Sequence, residues 1–193
     1  VLLCLILGLA IAIERIISLS LASININRFG AKVEDILKSQ GIEAAKEYCR
    51  KTRGPVASVY YQGLARVGEG MDVVEKSIAS YGSVQMGQLE RGLVWLSLFI
   101  ALAPMLGFLG TVVGMIFAFD QIAAAGDISP TVVAGGIKVA LLTTVGGLIV
   151  AIILQIFYNY IVSKVDTIVN NMEESAINLL DMLINNNVIS DKK

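Results

Sequence analysis

Histidine is absent from all 193 residues. That removes the commonest metal ligand and general base, and with it every Ser–His or Cys–His nucleophilic arrangement. Cysteine occurs only twice, Cys4 in an apolar run and Cys49 in a charged one, a spacing that argues against a disulfide or a zinc site. Charge is scarce: 16% of residues are charged, the net charge is -1, and no basic cluster stands out, so a nucleic-acid partner is not expected. No alternating run of β-branched residues appears, and no strand is expected. Without a nucleophile–base set, a phosphate loop or a metal cluster, the chain does not read as an enzyme, and no cofactor is implied.

What is present is apolar length. Hydrophobic residues make up 55% of the chain. Gly92–Phe119 carries no charge over 28 residues, and Val139–Val162 none over 24. Each run exceeds the ~20 apolar residues that a helix needs to cross a ~30 Å hydrocarbon core. Asp120, Gly126, Asp127 and Pro130 between them read as an exposed turn, so the two helices should form an antiparallel hairpin. A third run, residues 1–13, ends at Glu14-Arg15 and alone is too short to span. It is expected to be part of a first transmembrane helix, with no signal-peptide pattern.

The sequence thus predicts an all-α membrane protein with three transmembrane helices, the first truncated. The expected organisation is a partial first transmembrane helix (1–19), a cytoplasmic helical region (20–91) and a second transmembrane helix (92–120). A periplasmic turn (121–131), a third transmembrane helix (132–163) and a cytoplasmic helical extension (164–193) follow. Orientation comes from Lys and Arg. Arg15, Arg28, Lys32, Lys38, Lys46, Arg50, Lys51, Arg53, Arg66, Lys76 and Arg91 all fall between the first two apolar runs. The positive-inside rule places that segment and the tail in the cytoplasm.

Within the cytoplasmic region, Gly41, Gly54-Pro55 and Gly68–Gly70 divide helices over 25–39, 42–52, 55–67 and 71–89. The last has no strong breaker before Gly92 and is expected to run on into the membrane. The third membrane helix likewise has no stop at the interface. A 4-3-4-3 stripe from Thr144 through Leu148, Gln155, Val162, Val165, Met172 and Leu179 to Leu183 predicts one helix over about 131–186. That is roughly 80 Å at 1.5 Å per residue. A helix so long with an apolar stripe needs partners, copies of itself first among them.

A second pattern is made of small residues. Gly107, Thr111, Gly114 and Ala118 recur on one limb, with Gly110 alongside; Gly136, Ala140, Thr144, Gly147 and Ala151 recur on the other. Such stripes let helix backbones approach closely. They serve either as packing seams or as part of a lumen wall. Thr111 and Thr144 fall at similar depth on antiparallel limbs, where their hydroxyls would offer polar groups to water or to a partner's ionisable group. Thr143, turned about 100° from Thr144, ranks below it. Gln155 and Asn159 lie near the inner boundary and fit an inner mouth; Pro104 fits a kink. No Asp, Glu, Lys, Arg or His lies within either uncharged run. If the protein moves ions by titration, the titrating group must come from another chain.

At these residues the chain resembles the MotA/TolQ/ExbB proton-channel family, most closely its ExbB-like members. The resemblance is carried by Glu14-Arg15, by LGFLGTVVGM around Thr111, by GGIKVALLTTVGGLIVAI around Thr144, and by Tyr158-Asn159. It implies a bacterial inner-membrane ring of five copies around the single-span helices of an ExbD- or TolR-like dimer. The partner would supply a proton-carrying Asp beside Thr111 and Thr144, and a TonB-like protein would take up the motion. A TolQ-like or gliding-type stator is the alternative within the family, and a structural membrane scaffold the alternative outside it. One departure is visible: many relatives carry Glu where this chain has Val139, after Lys138.

Overall fold

The computed structural model describes residues 1–125 and 130–186, and every regular element among them is helical. In chain order these are α1 (Leu2–Ala22), α2 (Ile26–Gln40), α3 (Ile42–Lys51), α4 (Pro55–Ala65), α5 (Met71–Leu89), α6 (Leu93–Ala125) and α7 (Pro130–Asn185). A single 3-10 turn, Val67–Glu69, separates α4 from α5. Among the described residues, three helices are long and apolar enough to cross a membrane. The tip of the expected turn, residues 126–129, and the tail beyond residue 186 lie outside the described residues.

The chain divides into two compact units. One, apolar, is made of residues 1–15 and 92–161; the other, amphipathic, of residues 16–91 and 162–193. α1 is continuous through Glu14 and Arg15. The Arg15 guanidinium donates two hydrogen bonds to the Glu14 carboxylate, at 2.6 and 2.7 Å, so both charges are matched where the apolar run ends. Gly8 of α1 meets Leu154 of α7: a Cβ there would sit 2.7 Å from both Leu154 methyls.

The expected continuation of α5 into the membrane helix does not occur. α5 ends at Leu89, α6 starts at Leu93, and Gly92 between them takes φ +90, a left-handed backbone open to glycine at little cost. The break lies at Gly92 itself, which the apolar pattern on either side conceals. α6 in turn is helical through Pro104, whose missing N–H frees the carbonyl of Ile100.

The amphipathic unit has a conventional core. Asn25 caps α2 by accepting from the Arg28 N–H at 3.1 Å. Gly54 takes φ +126 with its α-carbon so near the Ala22 carbonyl that a Cβ would come within 2.9 Å. Phe29 stacks on Tyr48 and meets Tyr60 edge-on, with ring centroids 5.7 and 5.3 Å apart. Val33, Cys49, Leu64, Val74 and Ile78 complete the cluster. Burial pushes the Cys49 thiol up to about 12. Burial does the same to the Tyr60 phenol, also about 12, with the Cys49, Glu34 and Glu174 charges adding to the effect. Both groups are neutral in this core at physiological pH.

The buried stripe of α7 is offset from the expected one. Ile161, Val165, Ile168, Met172, Ser175, Leu179 and Met182 are buried at 4-3-4-3-4-3 spacing, whereas Leu148 is 48% exposed and Gln155 is exposed. The two registers share Val165, Met172 and Leu179, and Leu183 of the expected stripe is buried as well. Above Val165 the buried positions are Val150, Leu154 and Ile161, while Leu148 and Gln155 stay exposed among the described residues. Ser175 is fully buried, and its hydroxyl has no hydrogen-bond partner among the described residues. An unpaired buried hydroxyl costs about 1–3 kcal/mol. Ser175→Ala is therefore expected to raise the midpoint of thermal unfolding. A lower midpoint would show that the hydroxyl has a partner after all.

Candidate functional site: the threonine-bearing seam of α6 and α7

The uncharged segments of α6 and α7 pack antiparallel within the apolar unit, and small residues set their spacing. A Cβ on Gly147 would lie 2.6 Å from the Ala103 carbonyl oxygen and 3.1 Å from the Gly107 Cα. One on Gly107 would lie 3.0 Å from the Thr143 carbonyl oxygen and 3.1 Å from the Thr144 Cα. One on Gly114 would be 3.1 Å from the Ala140 Cβ, and Gly136 lies against Ala118. Gly107, Gly114, Ala118, Ala140 and Gly147 are all buried, and Ala151 is half-buried. Backbone therefore meets backbone over about four turns, the close approach that small residues permit and larger ones forbid.

The hydroxyls sit on this seam. Thr144 Oγ1 donates across it to the Gly107 carbonyl at 3.3 Å. Thr143 Oγ1 donates to the Ala140 carbonyl of its own helix at 2.7 Å and reaches the same Gly107 oxygen at 3.4 Å. Thr111 Oγ1 donates to the Phe108 carbonyl of its own turn at 2.6 Å and makes no bond to α7 among the described residues. All three threonines are half-buried within the chain. Because Gly110 lies opposite Thr143, Thr111 and Thr144 stand at nearly the same height.

Thr143 deserves a higher rank than its helical angle suggests. A Cβ on Gly110 would come within 2.5 Å of Thr143 Oγ1, so that glycine makes room for this side chain. The 100° offset from Thr144 is real, but the Gly107 carbonyl lies between the two positions and is approached by both. The sequence signal was present as Gly110, adjacent to a threonine and one turn from Gly107. Gln155 and Asn159 stand apart from this cluster, bonded to each other at 3.0 Å along the exposed side of α7. Val139 is 57% exposed.

Chemically the seam is neutral and sparing in polar groups. A hydroxyl that gives its hydrogen to a carbonyl keeps oxygen lone pairs, so each threonine can accept a further hydrogen bond. None can titrate. The surrounding surface is apolar and open, with Phe108 66%, Leu142 68% and Ile152 60% exposed.

Residues 51–174 match the model of a family described as the MotA/TolQ/ExbB proton channel family. The chain is 35% identical over 144 residues to a putative biopolymer transport protein ExbB homolog of Methanothermobacter thermautotrophicus, covering 75% of this chain and 50% of that one. It is 45% identical over 69 residues to biopolymer transport protein exbB1 of Vibrio cholerae, covering 35% and 30%. Half or less of the length of either relative is thus spanned. Among solved structures, that of C. jejuni MotAB superposes with a TM-score of 0.52 over 98% of this chain and 81% of its own, at 16% identity, a likeness of fold.

Proposed function

The chain belongs to the MotA/TolQ/ExbB proton channel family, and from that premise we propose that it is an ExbB-like channel subunit of a motor driven by the proton motive force. Its place is a bacterial inner membrane, with the amphipathic unit in the cytoplasm. Five copies surround a single-span, ExbD-like dimer whose membrane Asp carries the proton. A TonB-like protein receives the resulting motion and energises transport at the outer membrane.

The observation that carries this reading is the pairing of a polar seam with an absence. The Thr143 and Thr144 hydroxyls reach the Gly107 carbonyl, with Thr111 one turn along the same helix as Gly107, on two helices whose uncharged runs contain no Asp, Glu, Lys, Arg or His. Proton carriers use ionisable groups within the membrane, so an acid must enter from outside this chain. Thr111 and Thr144, with lone pairs to offer, suit the neutral, protonated form of that acid. Gln155 and Asn159 would line the inner mouth. Val139 in place of a carboxylate leaves the proton with the partner's Asp and water as its carriers.

Co-expression with a one-span protein bearing a membrane Asp tests the reading. The expected result is a joint complex with several copies of this chain per partner dimer. Failure of every co-expressed partner of this kind to co-purify with the chain would overturn it.

A further inference from the structure

α5 is 19 residues long, yet only Val74, Ile78 and Leu89 of it are buried. The residues that line the spaces on its two flanks differ in charge. On one side, a groove of about 560 Å³ runs between α5 and the lower part of α7. Its charged lining residues are Glu75 and Glu173, on walls that include Met86 and Ile177, the latter 61% exposed. On the other side, a cleft of about 390 Å³ between α4 and α5 has Arg66 and Lys76 as its charged lining. Its α5 lip is the ridge Lys76, Ser80 and Val84, with Val84 56% exposed. At 100° per residue, the Glu75–Met86 stripe and the Lys76–Val84 ridge point about 130° apart around the helix. Arg66 has a partner in Glu69 at 3.6 Å. Glu75, Lys76 and Glu173 form no ion pair with any described residue.

From this we infer that the Lys76–Ser80–Val84 ridge of one copy seats in the α5–α7 groove of the next, joining copies head to tail. The inference rests on the reading of several copies around one partner, and it names the surface that joins them outside the membrane. Two features select a second copy as the occupant. The first is complementarity: a basic ridge with an apolar tip matches an acidic, apolar groove. The second is height. Copies in one membrane share one orientation and are related by an axis along the membrane normal, so each residue keeps its level from copy to copy. Lys76 then meets the neighbour's Glu75, and Val84 the neighbour's Met86, because the members of each pair lie within about two residues of each other along α5 but about 100° and 160° apart around it. A twofold contact would instead pair ridge with ridge and groove with groove, setting like charges together. The head-to-tail contact is the kind that closes into rings.

The test uses the full chain in membranes. Val84→Cys and Met86→Cys in one chain point away from each other and cannot join within it. Oxidation is expected to give a ladder extending beyond dimers, while either single variant gives none. Adding Lys76→Glu should cut the ladder by about tenfold, since like charges would then face each other, and adding Glu75→Lys to that chain should restore it. A ladder stopping at dimers, or no ladder from a preparation whose mass shows several copies per complex, would overturn the interface and leave the proposed function standing. A preparation holding a single copy beside its partner would overturn both.

Discussion

Gly147→Val is expected to disrupt the α6–α7 seam, with a loss of about 3 kcal/mol, the upper range for forcing bulk into a packed site. The reason is what lies opposite. A Cβ at this position would stand 2.6 Å from the Ala103 carbonyl oxygen, with the Gly107 and Pro104 α-carbons at 3.1 and 3.2 Å. Those are backbone atoms, which cannot swing aside as a long side chain does. Relief would require α6 and α7 to separate, which would also break the Thr144–Gly107 hydrogen bond. The neighbouring glycine supplies the control. Gly146 has nothing within 4 Å of its would-be Cβ, and Gly146→Ala should leave the fold intact. Thermal unfolding in detergent or nanodiscs, followed by helical signal, reads both. A Gly147→Val protein unfolding at the wild-type temperature would mean that the seam is not packed as described.

Thr144→Val should separate packing from proton handling. Valine matches threonine in shape, and the Gly107 carbonyl keeps Thr143 as a neighbour, so the cost in stability should stay near 1 kcal/mol. Proton flux through the assembled complex should fall by about tenfold, the equivalent of one hydrogen bond to the proton-carrying group. Thr144→Ser retains the hydroxyl and should keep most of the flux. Paired measurements in proteoliposomes, pH gradient decay beside thermal stability, distinguish the two effects. Flux in Thr144→Val equal to wild type would make this threonine a packing residue alone. The same would hold for a scaffold, in which Thr111→Val combined with Thr144→Val would change nothing.

The helical fold was legible because membrane helices announce themselves by length. The uncharged runs around Gly107 and Gly147 allow only helices in hydrocarbon, and three suitable helices are found. The glycine breaks at 41, 54 and 70 were equally plain, since a residue at φ near +90 leaves a helix. Gly92 makes the same kind of break but was hidden between two sequences of good helix formers. The offset of the α7 stripe was hidden for another reason. Two apolar stripes run side by side on that helix, and the pattern shows both without telling which covers the chain's own core. Leu148 and Gln155 belong to the more exposed one.

The site shows the same division. Small-residue spacing displayed Gly107, Gly114, Ala140 and Gly147, because close helix approach admits few residue types. Thr143 was underrated because helical angle alone treats a neighbouring helix as a line, whereas a carbonyl between two positions can serve both. The charge difference around α5 lay in adjacent letters, Glu75-Lys76, and gains meaning only from the groove and the cleft that flank the helix.

Purified chain alone, sealed into liposomes under a pH gradient, bears most directly on whether the reacting acid belongs to another polypeptide. A sleeve of neutral side chains should hold the gradient, and adding the Asp-bearing single-span partner should dissipate it. Rapid proton entry through this chain unaided would contradict the account.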